Sequence, residues 1–122
     1  MKVAVTSQGT DLDATVDERF GRCHYFILID PENEKFEVVE NLGAGSSGGA
    51  GVQAAQFVAG QGAKALITGH IGPKAMEALE ASDIEVYSVD SCSVREALAR
   101  YKNHQLKPVL KAMVGPHFGT RR

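Results

Sequence analysis

Apolar residues recur along this 122-residue chain with two different periods, and the switches between them mark out its elements. Lys2 to Thr6 is a short apolar run that reads as a first strand. Tyr25 to Asp30 (Tyr-Phe-Ile-Leu-Ile-Asp) is rich in β-formers, Pro31-Glu32-Asn33-Glu34 makes a turn, and Lys35 to Glu40 alternates charged and apolar residues. Together these two runs predict a β-hairpin. After Asn41 the period changes, and Val52, Ala55, Val58 and Ala59 repeat at helical spacing up to Gly60. Lys64 to Thr68 predicts a fourth strand, Pro73 to Ala81 a helix with Met76 and Leu79 inward, and Ile84 to Val89 a fifth strand. Ser93-Val94-Arg95-Glu96 has the form of a capping box; the helix it opens carries Val94, Ala97, Leu98 and Tyr101 on one face. From Asn103 no element is predicted, because Pro108 and Pro116 break any long helix.

The order is therefore β-β-β-α-β-α-β-α. Right-handed crossovers turn it into one mixed sheet covered by helices. The simplest pairing joins strand two antiparallel to strands one and three, and adds strands four and five parallel to strand one. The expected architecture is an α/β, ribonuclease-H-like three-layer fold with a five-stranded sheet in the order 3-2-1-4-5. Residues 1–102 make the domain, and residues 103–122 a basic C-terminal tail.

Charge is distributed unevenly. All 15 acidic residues precede position 97 beside seven basic ones, whereas positions 97–122 hold six basic residues and no acid. Such a tail either meets nucleic acid or an acidic partner, or is a frayed, exposed terminus. The apolar run Val3-Ala4-Val5 is too short for a signal peptide, and no run approaches the roughly 20 apolar residues of a membrane span. With only Cys23 and Cys92 there is no disulfide framework, and a reduced, cytoplasmic protein is the default expectation.

The chemistry gathers where parallel strands run into helices. Ala65 to Ile67 leads into Thr68-Gly69-His70-Ile71-Gly72, and Pro73 then opens a helix at the position where its missing N–H is harmless. Strand ends facing helix N-termini are where such folds bind ligands, and the free amides there favour anions. The predicted topology brings four loops to that same rim of the sheet. They are loop 7–24, the glycine-rich loop 43–51, the turn at His70, and the turn Asp90-Ser91-Cys92-Ser93. Cys23, His24, His70 and Cys92 become candidate metal ligands there, and Arg19, Arg22, Gly69 and Gly72 candidate cofactor-binding residues.

Each candidate has a plainer alternative. Cys92 is either a thiolate favoured before a helix or a buried apolar residue. His70 either ligates or hydrogen-bonds its loop, and strand alternation turns one of Cys23 and His24 inward. Arg19 and Arg22 either hold an anion or pair with Asp17 and Glu18. The glycine loop matches neither a P-loop nor a dinucleotide fingerprint and reads best as a lid. With no C-x-x-C or H-x-x-x-H spacing, the set does not resemble a closed zinc site. A preformed, anionic sulfide-bridged cluster held at one or two points suits this open rim better. A two-metal nuclease is disfavoured, because strands one and four carry no carboxylate.

Several segments also resemble a known family. They are Met1-Lys2-Val3-Ala4-Val5-Thr6-Ser7, Val16-Asp17-Glu18-Arg19-Phe20-Gly21-Arg22 before Tyr25-Phe26, and Ile67-Thr68-Gly69-His70-Ile71-Gly72-Pro73-Lys74-Ala75 followed by Leu79 and Ile84-Glu85-Val86-Tyr87. Over about residues 1–102 the chain resembles the dinitrogenase iron–molybdenum cofactor biosynthesis family, which includes NifX-type carriers, the NifB C-terminal domain and the orange protein. The resemblance implies a non-catalytic binding or carrier protein for an iron–sulfur, iron–molybdenum or molybdenum–copper cluster. Its implied partners are proteins that deliver or accept the cluster, with no nucleic acid and no membrane. Cys23-His24 stands where relatives often have Ala-Pro, so the resemblance adds nothing to those two. A metal-free module binding a small anion, nucleotide or protein is the alternative.

Overall fold

The computed structural model describes residues 1–45 and 48–109. Its five strands are β1 (Val3–Ser7), β2 (Tyr25–Ile29), β3 (Phe36–Glu40), β4 (Ala65–Thr68) and β5 (Glu85–Ser88), and its helices are α1 (Ala50–Gly60), α2 (Pro73–Ala81) and α3 (Val94–Lys102). They form one sheet in the order β3-β2-β1-β4-β5, as expected. β2 is antiparallel to both β1 and β3, whereas β1, β4 and β5 run parallel.

Alternation along the strands divides the core in two. Ala4, Phe26, Leu28 and Leu66 face α1 and α2, packing with Ala54, Ala55, Val58, Met76 and Leu79. Val3, Val5, Ile27, Ile29 and Ile67 face the other way and pack with Val94, Ala97 and Leu98 of α3. β1 and β4 are buried along their whole length, because helices cover both faces of the sheet centre. The layers are thus α1 and α2, the sheet, and α3.

Two segments differ from the sequence reading. Loop 7–24 buries Leu12, Val16, Phe20 and Cys23. Val16 bridges Ser7, and Thr15 bridges Ser93. Four apolar residues scattered without a period leave no strand or helix signal, yet they suffice to fix the loop over the sheet end.

The second difference follows α3. His104 turns the chain with a positive φ of 57°. Pro108 then bridges Tyr87, and the Val109 N–H donates to the Val86 carbonyl at 2.7 Å. Residues 103–109 therefore pack on the outer edge of β5, with Leu106 and Val109 touching the two halves of the core. Most of the basic tail, residues 110–122, lies outside the described residues. Among the described residues, no helix is long and apolar enough to cross a membrane.

Candidate functional site

At the C-terminal rim of the sheet a cleft of about 470 Å³ opens between the starts of α1 and α2. Phe20, Arg22, Gly49, His70, Gly72 and Lys74 are among its walls. Both helices point their N-termini at it. Gly49 caps α1 in the left-handed region at φ 75°, and Gly72 caps α2 in extended conformation ahead of Pro73. Neither cap offers a side chain to the helix, and neither first turn holds an acidic residue. Among the described residues no side chain caps the amides of these first turns, and the two helix dipoles together amount to roughly one positive charge.

The third helix is arranged differently. Ser93 Oγ accepts the Glu96 N–H at 3.0 Å, and Glu96 places a carboxylate in the first turn. α3 is therefore capped and its dipole already answered. Of the three helix N-termini, those of α1 and α2 are therefore the two that face a ligand without a side-chain cap.

The side chains on the cleft are cationic or neutral. Arg22 and Lys74 are exposed, and Arg22 Nη1 donates to the Ala44 carbonyl at 2.7 Å, tying the first part of the glycine-rich loop to the cleft wall. His70 is held by its backbone: its N–H donates to the Glu18 carbonyl at 2.6 Å, and its carbonyl accepts the Phe20 N–H at 3.3 Å. Its imidazole stays 63% exposed, with Nε2 3.9 Å from Glu18 Oε1.

Behind this wall sits Asp17, 1% exposed. Its Oδ1 accepts the Arg19 N–H at 3.0 Å and Arg19 Nε at 3.3 Å; Oδ2 accepts Arg19 Nη2 at 3.4 Å and the His24 N–H at 3.3 Å. The hydrogen bond and charge of Asp17 raise the Arg19 guanidinium further above its ordinary pKa. Of the two roles open to Arg19, pairing with Asp17 is the one the structure shows.

The other sequence candidates are dispersed. Cys23 is fully buried in the core half that faces α1 and α2. Burial first, then the nearby Asp17 charge, push its thiol up to about 12, so at neutral pH it is neither thiolate nor accessible. His24 points outward beside Tyr25, as alternation requires, and lies off the cleft. Cys92 is half-buried against the α3 half of the core, and burial raises its thiol as well. Gly69 is buried, so close to Glu18 that a Cβ on it would lie 2.6 Å from the Glu18 Cα; Gly72 alone of the two glycines lines the cleft.

The cleft that His70 lines does not include Cys92. Both lie past the C-terminal ends of parallel strands, but His70 belongs to the α1–α2 layer and Cys92 to the turn that carries the chain to α3 on the opposite face. Among the described residues, no group of three or more His, Cys, Asp or Glu side chains is placed to hold a metal ion. Phe20, Gly49, Lys74 and Asp17 were not legible as site residues. The absence of acid from the turns after Gly49 and Gly72 was the available signal for Gly49 and Lys74; nothing marked Phe20, and Asp17 was visible only as a pairing partner for the arginines.

Residues 1–104 match the family model described as "Nitro_FeMo-Co: Dinitrogenase iron-molybdenum cofactor". The apo orange protein of Desulfovibrio gigas is 38% identical and superposes with a TM-score of 0.90, over 93% of this chain and 96% of that one. A NifB-like protein from Thermotoga is 32% identical with a TM-score of 0.82, over 94% and 98% of the two chains. A Methanocaldococcus jannaschii protein of unassigned function is 29% identical over 110 residues, 88% of this chain and 90% of its own.

Proposed function

The chain belongs to the dinitrogenase iron–molybdenum cofactor family, and from that premise we propose that it is a non-catalytic carrier holding an anionic metal–sulfur cluster in the α1–α2 cleft. The observation that supports this reading is the convergence of two helix N-termini, uncapped by side chains and free of acid, on one cleft walled by Arg22, Lys74 and His70.

The donor set suits a particular kind of cargo. Cys23 is sealed in and Cys92 lies in the other layer, so the cleft offers amide N–H groups, two cations and one imidazole. Such a set answers the negative charge of a cluster that arrives with its sulfide shell complete. It does not supply the thiolates on which an iron–sulfur centre is built. His70 is the cleft residue able to add one direct bond to metal. Strands β1 and β4 present the buried hydroxyls of Thr6 and Thr68 where a two-metal nuclease would need carboxylates.

The test is anaerobic. Protein incubated with tetrathiomolybdate and copper(I), or with iron, sulfide and molybdate, should keep its colour and metal through gel filtration. The Arg22→Ala/Lys74→Ala double variant should lose both. Wild-type protein that emerges colourless and free of iron, molybdenum and copper would overturn the carrier reading and favour a metal-free anion module.

A further inference from the structure

We propose that Asp17 is a positioning residue for the cargo: its buried carboxylate closes residues 17–24 into a clasp that presents Arg22 to the cleft and commits Arg19 elsewhere. For its cargo this inference rests on the carrier reading; for the clasp it rests on geometry alone.

A carboxylate has about four acceptor directions, and four N–H donors fill those of Asp17. Two of them, the backbone amides of Arg19 and His24, stand at either end of the turn closed by the Arg22 N–H on the Arg19 carbonyl at 3.2 Å. The clasp is anchored below as well. The Asp17 N–H donates to the Thr6 carbonyl at 2.9 Å, and Thr6 Oγ1 donates to the Asp17 carbonyl at 2.7 Å. The side chain of Asp17 therefore fixes the curvature of 19–22 relative to β1, and that curvature lays Gly21 on α1 and puts Arg22 on the cleft.

Stability alone is a poor reason to keep such a group, since burying the carboxylate costs desolvation that its pairing with the exposed Arg19 only partly offsets. Phe20 and Cys23 already anchor the segment in the core. The carboxylate adds a sorting of two nearby cations. Arg19 pairs with the carboxylate, and Arg22 lines the cleft wall beside Lys74. In Asp17→Asn one oxygen becomes an NH2 group, and one pair of donors then faces another donor.

The experiment is a double-mutant cycle read by tetrathiomolybdate binding, with amide exchange measured on the same proteins. Asp17→Asn should weaken binding about tenfold, the scale of one charged hydrogen bond. In an Arg22→Ala background it should cost less than about twofold, because the two residues act through one another. Equal losses in both backgrounds, or no loss in either, would overturn the proposal.

Amide exchange tests the clasp with neither cargo nor variant. In the wild-type protein the amides of Arg19 and His24 should exchange as slowly as strand amides; exchange at the free-chain rate would refute the clasp. Protected amides in a wild-type protein that binds no thiomolybdate would leave the clasp standing and remove the carrier reading instead.

Discussion

Gly21 rests on the first turn of α1 so closely that a Cβ placed on it would fall 2.6 Å from the Gly51 nitrogen and 2.8 Å from the Gly51 Cα. Backbone on both sides of the contact leaves no flexible side chain to move aside. Gly21→Ala should therefore lift the 19–22 turn off the helix, with a destabilisation of about 1–3 kcal/mol from overpacking. Thermal denaturation reads the loss of stability, and weaker retention of thiomolybdate reads the displaced turn. An alanine variant with native melting and native binding would show that the two segments are not in register.

The charges on the cleft make a different kind of forecast. Arg22 and Lys74 are both exposed, so their attraction for an anion is screened by salt. Raising ionic strength should weaken thiomolybdate binding progressively, and Lys74→Glu should weaken it more than Lys74→Ala. Equilibrium dialysis across a salt series measures this.

The separation of the two sides of the sheet predicts opposite outcomes at two residues. His70→Ala should lower cluster uptake, since the imidazole stands on the cleft wall. Cys92→Ala, in the α3 layer, should leave uptake unchanged. Metal-to-protein ratios after gel filtration distinguish the two, and loss of uptake in the Cys92 variant would contradict the layer assignment.

Capping separates stability from binding in the same way. Ser93→Ala removes the acceptor of the Glu96 N–H and should cost about 1 kcal/mol of stability. Because α3 does not face the cleft, thiomolybdate affinity should not move. Chemical denaturation and dialysis on one sample settle both points.

Alkaline pH should act through Cys23. Its thiol stands at about 12 in the folded protein against an ordinary 9.0. A raised folded pKa means that the unfolded chain loses its proton first. The stability due to this group is whole below the ordinary value, and it drains away as pH rises from there through about 12. Cys23→Ala should flatten the stability profile in that window. An identical profile for wild type and variant would show that the thiol is not sealed.

The sheet order was legible because each element kept one period: the run Tyr25-Phe26-Ile27-Leu28-Ile29 and the helical repeat of Val94, Ala97, Leu98 and Tyr101 admit few alternatives. Strand order also indicated the end of the sheet at which the cleft opens. It did not assign the turn at Cys92 to a layer. Which face α3 covers depends on how the last crossover packs, and Cys92 among serines gives no hint of that. Asp17 was illegible for a related reason. A single aspartate in a polar stretch has no pattern, and its burial comes from Phe20 and Val16 folding over the sheet end. Residues 103–109 were hidden by Pro108, which removes a backbone donor from the very position that bridges Tyr87.

The hydrogen bond from Val109 to Val86 closes one flank of the domain. The outer side of β3 is the opposite border of the sheet, and along it Lys35, Glu37 and Glu40 interrupt the apolar Phe36, Val38 and Val39. Charges on such a border repel the approach of another strand. The fold can thus leave its mouth open to a guest without also offering its sides to lateral stacking between molecules.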